Sequence, residues 1–136
     1  MANKVYPSFV DLMMNGEVDL EGDTFKVALL DLTEYTYSAL HEDLADVSGD
    51  AIVATSGALA GKSVSGGVFD ATDAEIADVE GAEVGAALVY KEGVDAANSP
   101  LAAYLELAAA VTPNGGKITV EFAAGGIFKI AEPVEV

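Results

Sequence analysis

Residues 111–130, VTPNGGKITVEFAAGGIFKI, decide the fold class of this chain. Pro113 fixes φ at a value that suits a turn, and the run from Asn114 to Gly116 tolerates positive φ. The chain should therefore reverse before Lys117 and enter a strand of a β-hairpin. The glycine pair at 125–126 then closes that strand.

The strand itself is marked by strict alternation. Ile118, Val120 and Phe122 occupy every second position. Polar residues fill the positions between them: Lys117, Thr119 and Glu121. This period of two is typical of a strand with one buried and one wet face.

A second strand is predicted over residues 25–30. Phe25, Val27 and Leu29 alternate with Lys26 and Ala28, and the following leucine makes the second face partly apolar too. A strand that is apolar on both faces belongs near the centre of a sheet.

Glycine-separated stretches predict the remaining strands. Two short strands are expected between residues 51 and 67, another around 75–79, and a well-marked one over 82–91. Residues 100–107 are ambiguous from their pattern, because alanine and leucine favour helix while their alternation favours strand.

The N-terminal segment is predicted to be a helix over residues 5–15. Tyr6, Phe9, Val10 and Met13 recur at helical spacing, and Pro7 is tolerated in a first turn. Tyr6, Phe9 and Met13 are also candidate interface residues, because we expect this helix to be one of two segments that contact a partner.

Residues 31–50 form a long stretch with a loose pattern, which we call the excursion. Residues 37–47 could form a helical turn or two, with Leu40, Leu44 and Val47 facing inward. Long connections of this kind are often binding segments, so Tyr35, Tyr37 and Leu40 are the other candidate interface residues. The alternative for the two tyrosines is half-buried packing for at least one of them.

Together these elements predict a mainly β protein with one short N-terminal helix and about seven short strands, as a β-sandwich or a Greek-key barrel. A length of 136 residues fits one domain. We expect a helix at 5–15, a β core at 24–130 and a loose tail at 131–136. Alanine contributes 24 residues, so large apolar side chains that could fill the core are few. A core of this kind is compatible with stabilisation by oligomerisation or docking.

The net charge of the chain limits the kinds of partner that it can bind. The net charge is −17, with 23 acidic residues, six lysines and no arginine. Binding nucleic acid needs basic side chains to neutralise phosphates, and anionic lipids repel an acidic surface, so neither partner is expected. No apolar run is long enough to span a bilayer, and no secretory signal opens the chain.

The sequence contains no motif of a catalytic, cofactor or metal site, so we expect no catalytic residue, cofactor or metal. Cysteine is absent, and His41 is the only histidine, expected on an exposed loop. The oxygen-rich stretches 19–23 and 70–73 could attract a hard cation, but neither reproduces a calcium-binding loop. In so acidic a chain, carboxylates close in sequence are expected to be solvated.

Three segments, in the order of the chain, resemble a family of small tailed-bacteriophage virion proteins encoded among the head and tail structural genes. The family pairs a short N-terminal helix with a TxKVALxD strand, a central G…VYK strand and a closing VTPNGGxITVxF…IFKI segment. Residues 24–31, 88–91 and 111–130 match these elements, after the opening residues 1–4. The resemblance places a strand at residues 100–107.

The resemblance implies a non-enzymatic virion structural protein, foremost a capsid decoration or cement protein that binds the outside of the head and stabilises the shell. A tail or head–tail connector component is the alternative, and a carbohydrate-binding adhesion module ranks lower. The implied partners are the major capsid protein, copies of the chain itself, or both. The protein would be made in the host cytoplasm and located on the virion surface.

Overall fold

The computed structural model describes residues 3–129, which are mainly β with one α-helix, as the sequence predicts. The helix α1 spans Pro7–Met14. Ten strands lie within these described residues: β1 Lys4–Val5, β2 Phe25–Leu30, β3 Ile52–Thr55, β4 Ser63–Ser65, β5 Val68–Asp70, β6 Ala74–Ile76, β7 Val84–Lys91, β8 Leu101–Val111, β9 Ile118–Val120 and β10 Phe128–Lys129. This is three more than the predicted seven, and β1 and β10, with two residues each, are too short to leave a pattern in the sequence.

The strands form three antiparallel sheets. Five strands make the largest sheet in the order β1-β8-β7-β2-β3, three make a second in the order β10-β5-β4, and β6 pairs with β9. The largest sheet is open, with β1 and β3 at its edges. This arrangement is consistent with a small β-sandwich. The ambiguous stretch 100–107 is a strand, part of β8.

The strand β2 lies inside the largest sheet, between β7 and β3, as its two apolar faces predict. Alternation places Phe25, Val27 and Leu29 on one face and Ala28 and Leu30 on the other. All five side chains are fully buried. Both faces of the sheet are therefore covered.

Phenylalanines fill the first face. The ring of Phe25 lies 6.1 Å from that of Phe9 on α1 and 5.4 Å from that of Phe69 on β5. Phe128 on β10 contacts Phe69 at 5.4 Å. The helix and the three-stranded sheet thus cover this face with apolar rings at ordinary aromatic separations.

Tyrosines fill the second face. Tyr104 of β8 lies opposite Leu88, which in turn lies opposite Ala28, and cross-strand partners share a face. Its ring lies 5.4 Å from that of Tyr37 and 6.1 Å from that of Tyr35. The excursion is therefore the cover of this face.

The hairpin predicted at residues 111–122 does not form, because the strand after the turn pairs with a different strand from the one before it. The turn forms, with Gly115 at φ 86° and the Asn114 side chain accepting from the amide of Gly116 at 2.9 Å. However, β9 pairs with β6. The last residue of β8, Val111, pairs with Val84 of β7, whereas β1 pairs only with residues 103–104 of β8. Backbone hydrogen bonds join the turn to Val79, which accepts from Gly115 at 2.8 Å.

The excursion also differs from its predicted helical turns. Short 3₁₀ turns form at Leu44–Asp46 and Gly49–Ala51, each capped by the side chain of the preceding residue. Val47 is buried, whereas Leu40 is 87% exposed and does not face inward. Local capping breaks the segment into short turns because each cap satisfies the amides of a new turn. The predicted tail 131–136 lies outside the described residues.

Candidate docking site at one end of the sheet

Three segments meet at one end of the largest sheet and enclose an open groove of about 370 Å³, which we call the end groove. They are α1, residues 40–46 of the excursion, and the loop 92–100 between β7 and β8. The lining includes Ser8, Asp11, Leu12, Glu42, Asp43 and Pro100. The groove therefore brings together the two segments, helix and excursion, that the sequence marked as candidate contacts.

Backbone hydrogen bonds hold the excursion against the loop 92–100. The amide of Leu44 donates to the carbonyl of Ser99 at 2.9 Å, and the amide of Leu101 donates to the carbonyl of Glu42 at 3.0 Å. The hydroxyl of Ser99 accepts from the amide of Gly93 at 2.9 Å and donates to the carbonyl of Asp95 at 2.8 Å. The loop is thus a built structure that fixes one wall of the groove.

Gly93 is essential to the shape of that loop. A Cβ at this position would lie 1.9 Å from the carbonyl oxygen of Asn98. Backbone cannot yield as a flexible side chain can, so only glycine fits here without moving the loop.

The end groove is acidic. Asp11, Glu42 and Asp43 contribute carboxylates to its lining, which contains no lysine from the described part of the chain. Behind them, the amide of Glu42 donates to Asp46 Oδ2 at 2.8 Å and lowers the pKa of that carboxyl. Asp11 and Glu42 form no ion pair within residues 3–129. The groove therefore offers uncompensated negative charge.

The three segments that form the groove also carry exposed apolar side chains. Met14 is 81% exposed, Leu40 87% and Val94 92%. Each lies within three residues of a residue that lines the groove, on α1, the excursion and the loop 92–100 respectively. Each of the three segments therefore has an apolar side chain that the fold leaves in contact with solvent.

For three of the six candidate interface residues, the structure contradicts the prediction that the side chain is available to a partner. Tyr6 and Phe9 are fully buried and Tyr35 is 5% exposed, so these three side chains pack in the core. The helical periodicity that selected Tyr6 and Phe9 identifies the buried face of a helix, which is the wrong face for a partner.

The other three candidates lie closer to the surface. Met13 and Tyr37 are partly buried against the core, and Leu40 is exposed. The half-buried packing that was the alternative for the tyrosines is what the structure shows. The groove residues Asp11 and Glu42 were missed, and the outward positions of the same helix and excursion were the signal that could have found them.

His41 is half-buried, not freely exposed as expected. Its Nδ1 lies 2.8 Å from the hydroxyl of Tyr35, which lies 2.7 Å from the hydroxyl of Tyr6. Burial, and then the hydrogen bond to Tyr35, raise the pKa of Tyr6, and burial also raises the pKa of Tyr35. Both hydroxyls therefore stay protonated, and the chain of hydrogen bonds ties the start of α1 to the excursion.

The carboxylates of the stretch 19–23 cap their own turn. Asp19 Oδ1 accepts from the amides of Glu21 and Gly22, and Asp23 Oδ2 accepts from the amide of Asp19 at 2.8 Å. This amide, assisted by Lys91 at 3.3 Å, lowers the pKa of Asp23. Within residues 3–129, no three or more acidic, histidine or cysteine side chains are placed to hold a metal ion.

Comparison with known proteins gives no match to a protein-family model and no match among curated proteins. Among the described residues, no helix has the length and apolar character needed to cross a bilayer.

Proposed function

We propose that the protein is a non-enzymatic structural component of a tailed-bacteriophage virion, and specifically a capsid decoration or cement protein on the outside of the head. The resemblance of residues 24–31, 88–91 and 111–130 to such proteins supports this. The first two segments contribute β2 and β7, which are neighbours inside the largest sheet. The residues that carry the resemblance are thus scaffold residues.

The end groove is the observation that carries the proposal. The groove brings charged and apolar side chains from three segments together at one end of the largest sheet. Both faces of that sheet are already covered, so the groove is a separate surface. A docking protein of this kind acts mechanically: it buries apolar surface across the junctions between shell subunits and raises the free energy needed to separate them. Its remaining acidic surface faces solvent and keeps decorated particles apart.

Quantitative mass spectrometry of purified virions tests the proposal by counting copies of this chain per copy of the major capsid protein. A ratio near one, or somewhat below, is expected for a decoration protein on the shell lattice. A handful to a few dozen copies per particle would overturn the head assignment in favour of a tail or connector component. Absence from the particles would overturn both.

An adhesion module that binds carbohydrate fits the structure poorly. Such a site needs exposed aromatic rings, and all ten aromatic side chains of this chain are buried or half-buried. We therefore keep only the connector reading as the second candidate, because it uses the same kind of docking surface.

A further inference from the structure

We propose that Asn15, at the C-terminal end of α1, is a site of spontaneous deamidation, which converts its side-chain amide into a carboxylate and part of the product into isoaspartate. The reaction consumes water and needs no enzyme. The inference goes beyond the proposed function and does not depend on it, because it concerns the chemistry of one residue in the purified chain.

The sequence offers two sites for this reaction. Deamidation is fastest where glycine follows asparagine, because glycine has no Cβ to obstruct its own backbone nitrogen. Two of the four asparagines precede glycine, Asn15 and Asn114. The glycine nitrogen attacks Cγ of the asparagine, a C–N bond forms, and the side-chain nitrogen leaves as ammonia with the proton that the attacking nitrogen loses. Water then opens the five-membered imide at either carbonyl and gives aspartate or isoaspartate.

At Asn114 the fold holds both reacting groups. The attacking nitrogen, that of Gly115, donates to the carbonyl of Val79 at 2.8 Å. The side-chain amide is fixed as well, because its Oδ1 accepts from the amide of Gly116 at 2.9 Å. A third bond, from the amide of Val79 to the carbonyl of Gly116 at 3.0 Å, fastens the turn to a distant part of the sequence. The reaction at Asn114 therefore requires long-range contacts to break.

At Asn15 the fold holds the reacting groups less firmly. The residue is exposed, and its side-chain amide makes no hydrogen bond within residues 3–129. The nitrogen of Gly16 donates to the carbonyl of Met13, three residues earlier in the same helix, at 3.1 Å. A Cβ at Gly16 would meet nothing within 4 Å, so the space around the reacting bond is open to water.

The last turn of α1 must open before the reaction can occur. The ψ of Asn15 is 2°, a value that directs the nitrogen of Gly16 away from Cγ. Three bonds between near neighbours close the turn, from the amides of Asn15, Gly16 and Glu17 to the carbonyls of Asp11, Met13 and Leu12, at 3.0, 3.1 and 2.9 Å. Helix ends fray at a free energy far below that of global unfolding, so the folded protein populates the reactive conformation at Asn15.

Isoaspartate at position 15 alters the end of α1. Its main chain is one methylene longer, so the amides that follow no longer reach the carbonyls of Leu12 and Met13 in the register of a helix end. The new carboxylate also lies at the C-terminus of the helix, where the helix dipole disfavours negative charge. Leu12 lines the end groove, so the modified turn belongs to the wall of that groove. Phe9, fully buried, keeps the start of the helix in the core.

Mass spectrometry of tryptic peptides from aged, full-length protein tests the inference. Cleavage after lysine separates the two sites, because Asn15 lies in the peptide 5–26 and Asn114 in the peptide 92–117. The protein is incubated at mildly alkaline pH, either folded or in guanidinium chloride. In the folded protein, deamidation at Asn15 should be at least about 10-fold faster than at Asn114, with isoaspartate among the products. In guanidinium chloride the two rates should be similar, since both side chains precede glycine and neither turn remains.

Asn15→Gln is the matched variant, because glutamine must close a larger ring and reacts far more slowly. It should remove the reaction from the peptide 5–26 and leave the rate at Asn114 unchanged. Aged wild-type protein should also exchange the amides of Gly16 and Glu17 faster than fresh protein. Similar rates at the two sites in the folded protein, or an Asn15 that reacts only in guanidinium chloride, would overturn the inference. None of these outcomes bears on the copy number in virions.

Discussion

The two faces of the largest sheet are covered by side chains of different chemical character. On one face, phenylalanines from α1 and the three-stranded sheet pack ring against ring, so apolar burial is the main source of stability there. On the other face, the irregular excursion packs with tyrosines whose hydroxyls need partners. The first cover should therefore carry most of the global stability, while the second depends on a few directional bonds. The end groove is built partly on this second cover.

The largest effect is expected at the phenylalanine face. Phe25→Ala removes a fully buried ring that touches Phe9 and Phe69, and it should lower the free energy of unfolding by about 3–5 kcal/mol. Urea unfolding followed by circular dichroism measures this. Phe122→Ala, at a half-buried position, is the control and should cost clearly less. Equal losses for the two variants would contradict the assignment of the main core to this face.

Gly93→Ala should disturb the groove wall that anchors the excursion. The added Cβ would meet the carbonyl of Asn98, and we expect a loss of about 2–3 kcal/mol as the loop 92–100 shifts. Gly57→Ala is the matched control, because a Cβ there meets nothing within 4 Å. In the Gly93 variant, amide exchange should rise first at Leu44 and Leu101, whose amides bond across this contact. Unchanged exchange at both would separate the loop from the excursion.

Tyr35→Phe tests the directional bonds of the tyrosine face. It removes one hydroxyl and leaves that of Tyr6 buried without its partner, which should cost about 1–2 kcal/mol. The double variant Tyr6→Phe/Tyr35→Phe should lose less than the sum of the single variants, because no orphaned hydroxyl remains. Tyr37→Phe is the control, because within residues 3–129 its hydroxyl has no hydrogen-bond partner. Additive losses would show that the hydroxyl pair does not matter.

The smallest effect concerns acid. The pKa values of Asp46 and Asp23 are lowered, first by the backbone amides that donate to them, so their contribution is present above the ordinary value of 3.8. It is lost as pH falls through the lowered folded values. The urea midpoint should therefore drop below about pH 4, and Asp46→Asn should flatten part of that drop. Titration from pH 6 to pH 2 measures it, with Asp50→Asn as the control. An identical slope for the wild type and Asp46→Asn would exclude Asp46 as a contributor.

The sequence reveals strands better than it reveals partners. Alternation in residues 25–30 and 118–122 reports which side chains are buried, because burial is a local property of a pleated strand. It does not report which edge the strand joins, and so β9 was assigned to a hairpin when it pairs with β6. The turn chemistry at Asn114 was still correct, since it depends only on local φ values.

The end groove could not be predicted from the sequence, for a related reason. Its lining comes from positions as far apart as Ser8 and Pro100, and no local pattern links them. The helix and the excursion were chosen as contact segments because of their aromatic residues, but these residues build the two covers. Only the folded chain shows that their outward positions, such as Asp11 and Glu42, share one surface.

The chain of hydrogen bonds from Tyr6 through Tyr35 to His41 has no fixed direction. With the imidazole neutral and Nδ1 accepting, Tyr6 donates to Tyr35 and Tyr35 donates to the ring. With the hydrogen on Nδ1, the ring donates to Tyr35, and Tyr35 donates to Tyr6, because each hydroxyl can play either part. Both arrangements keep the helix tied to the excursion, but only the first gives the hydrogen of the fully buried Tyr6 hydroxyl an acceptor among the described residues, so the burial of Tyr6 favours the tautomer in which Nδ1 carries no hydrogen.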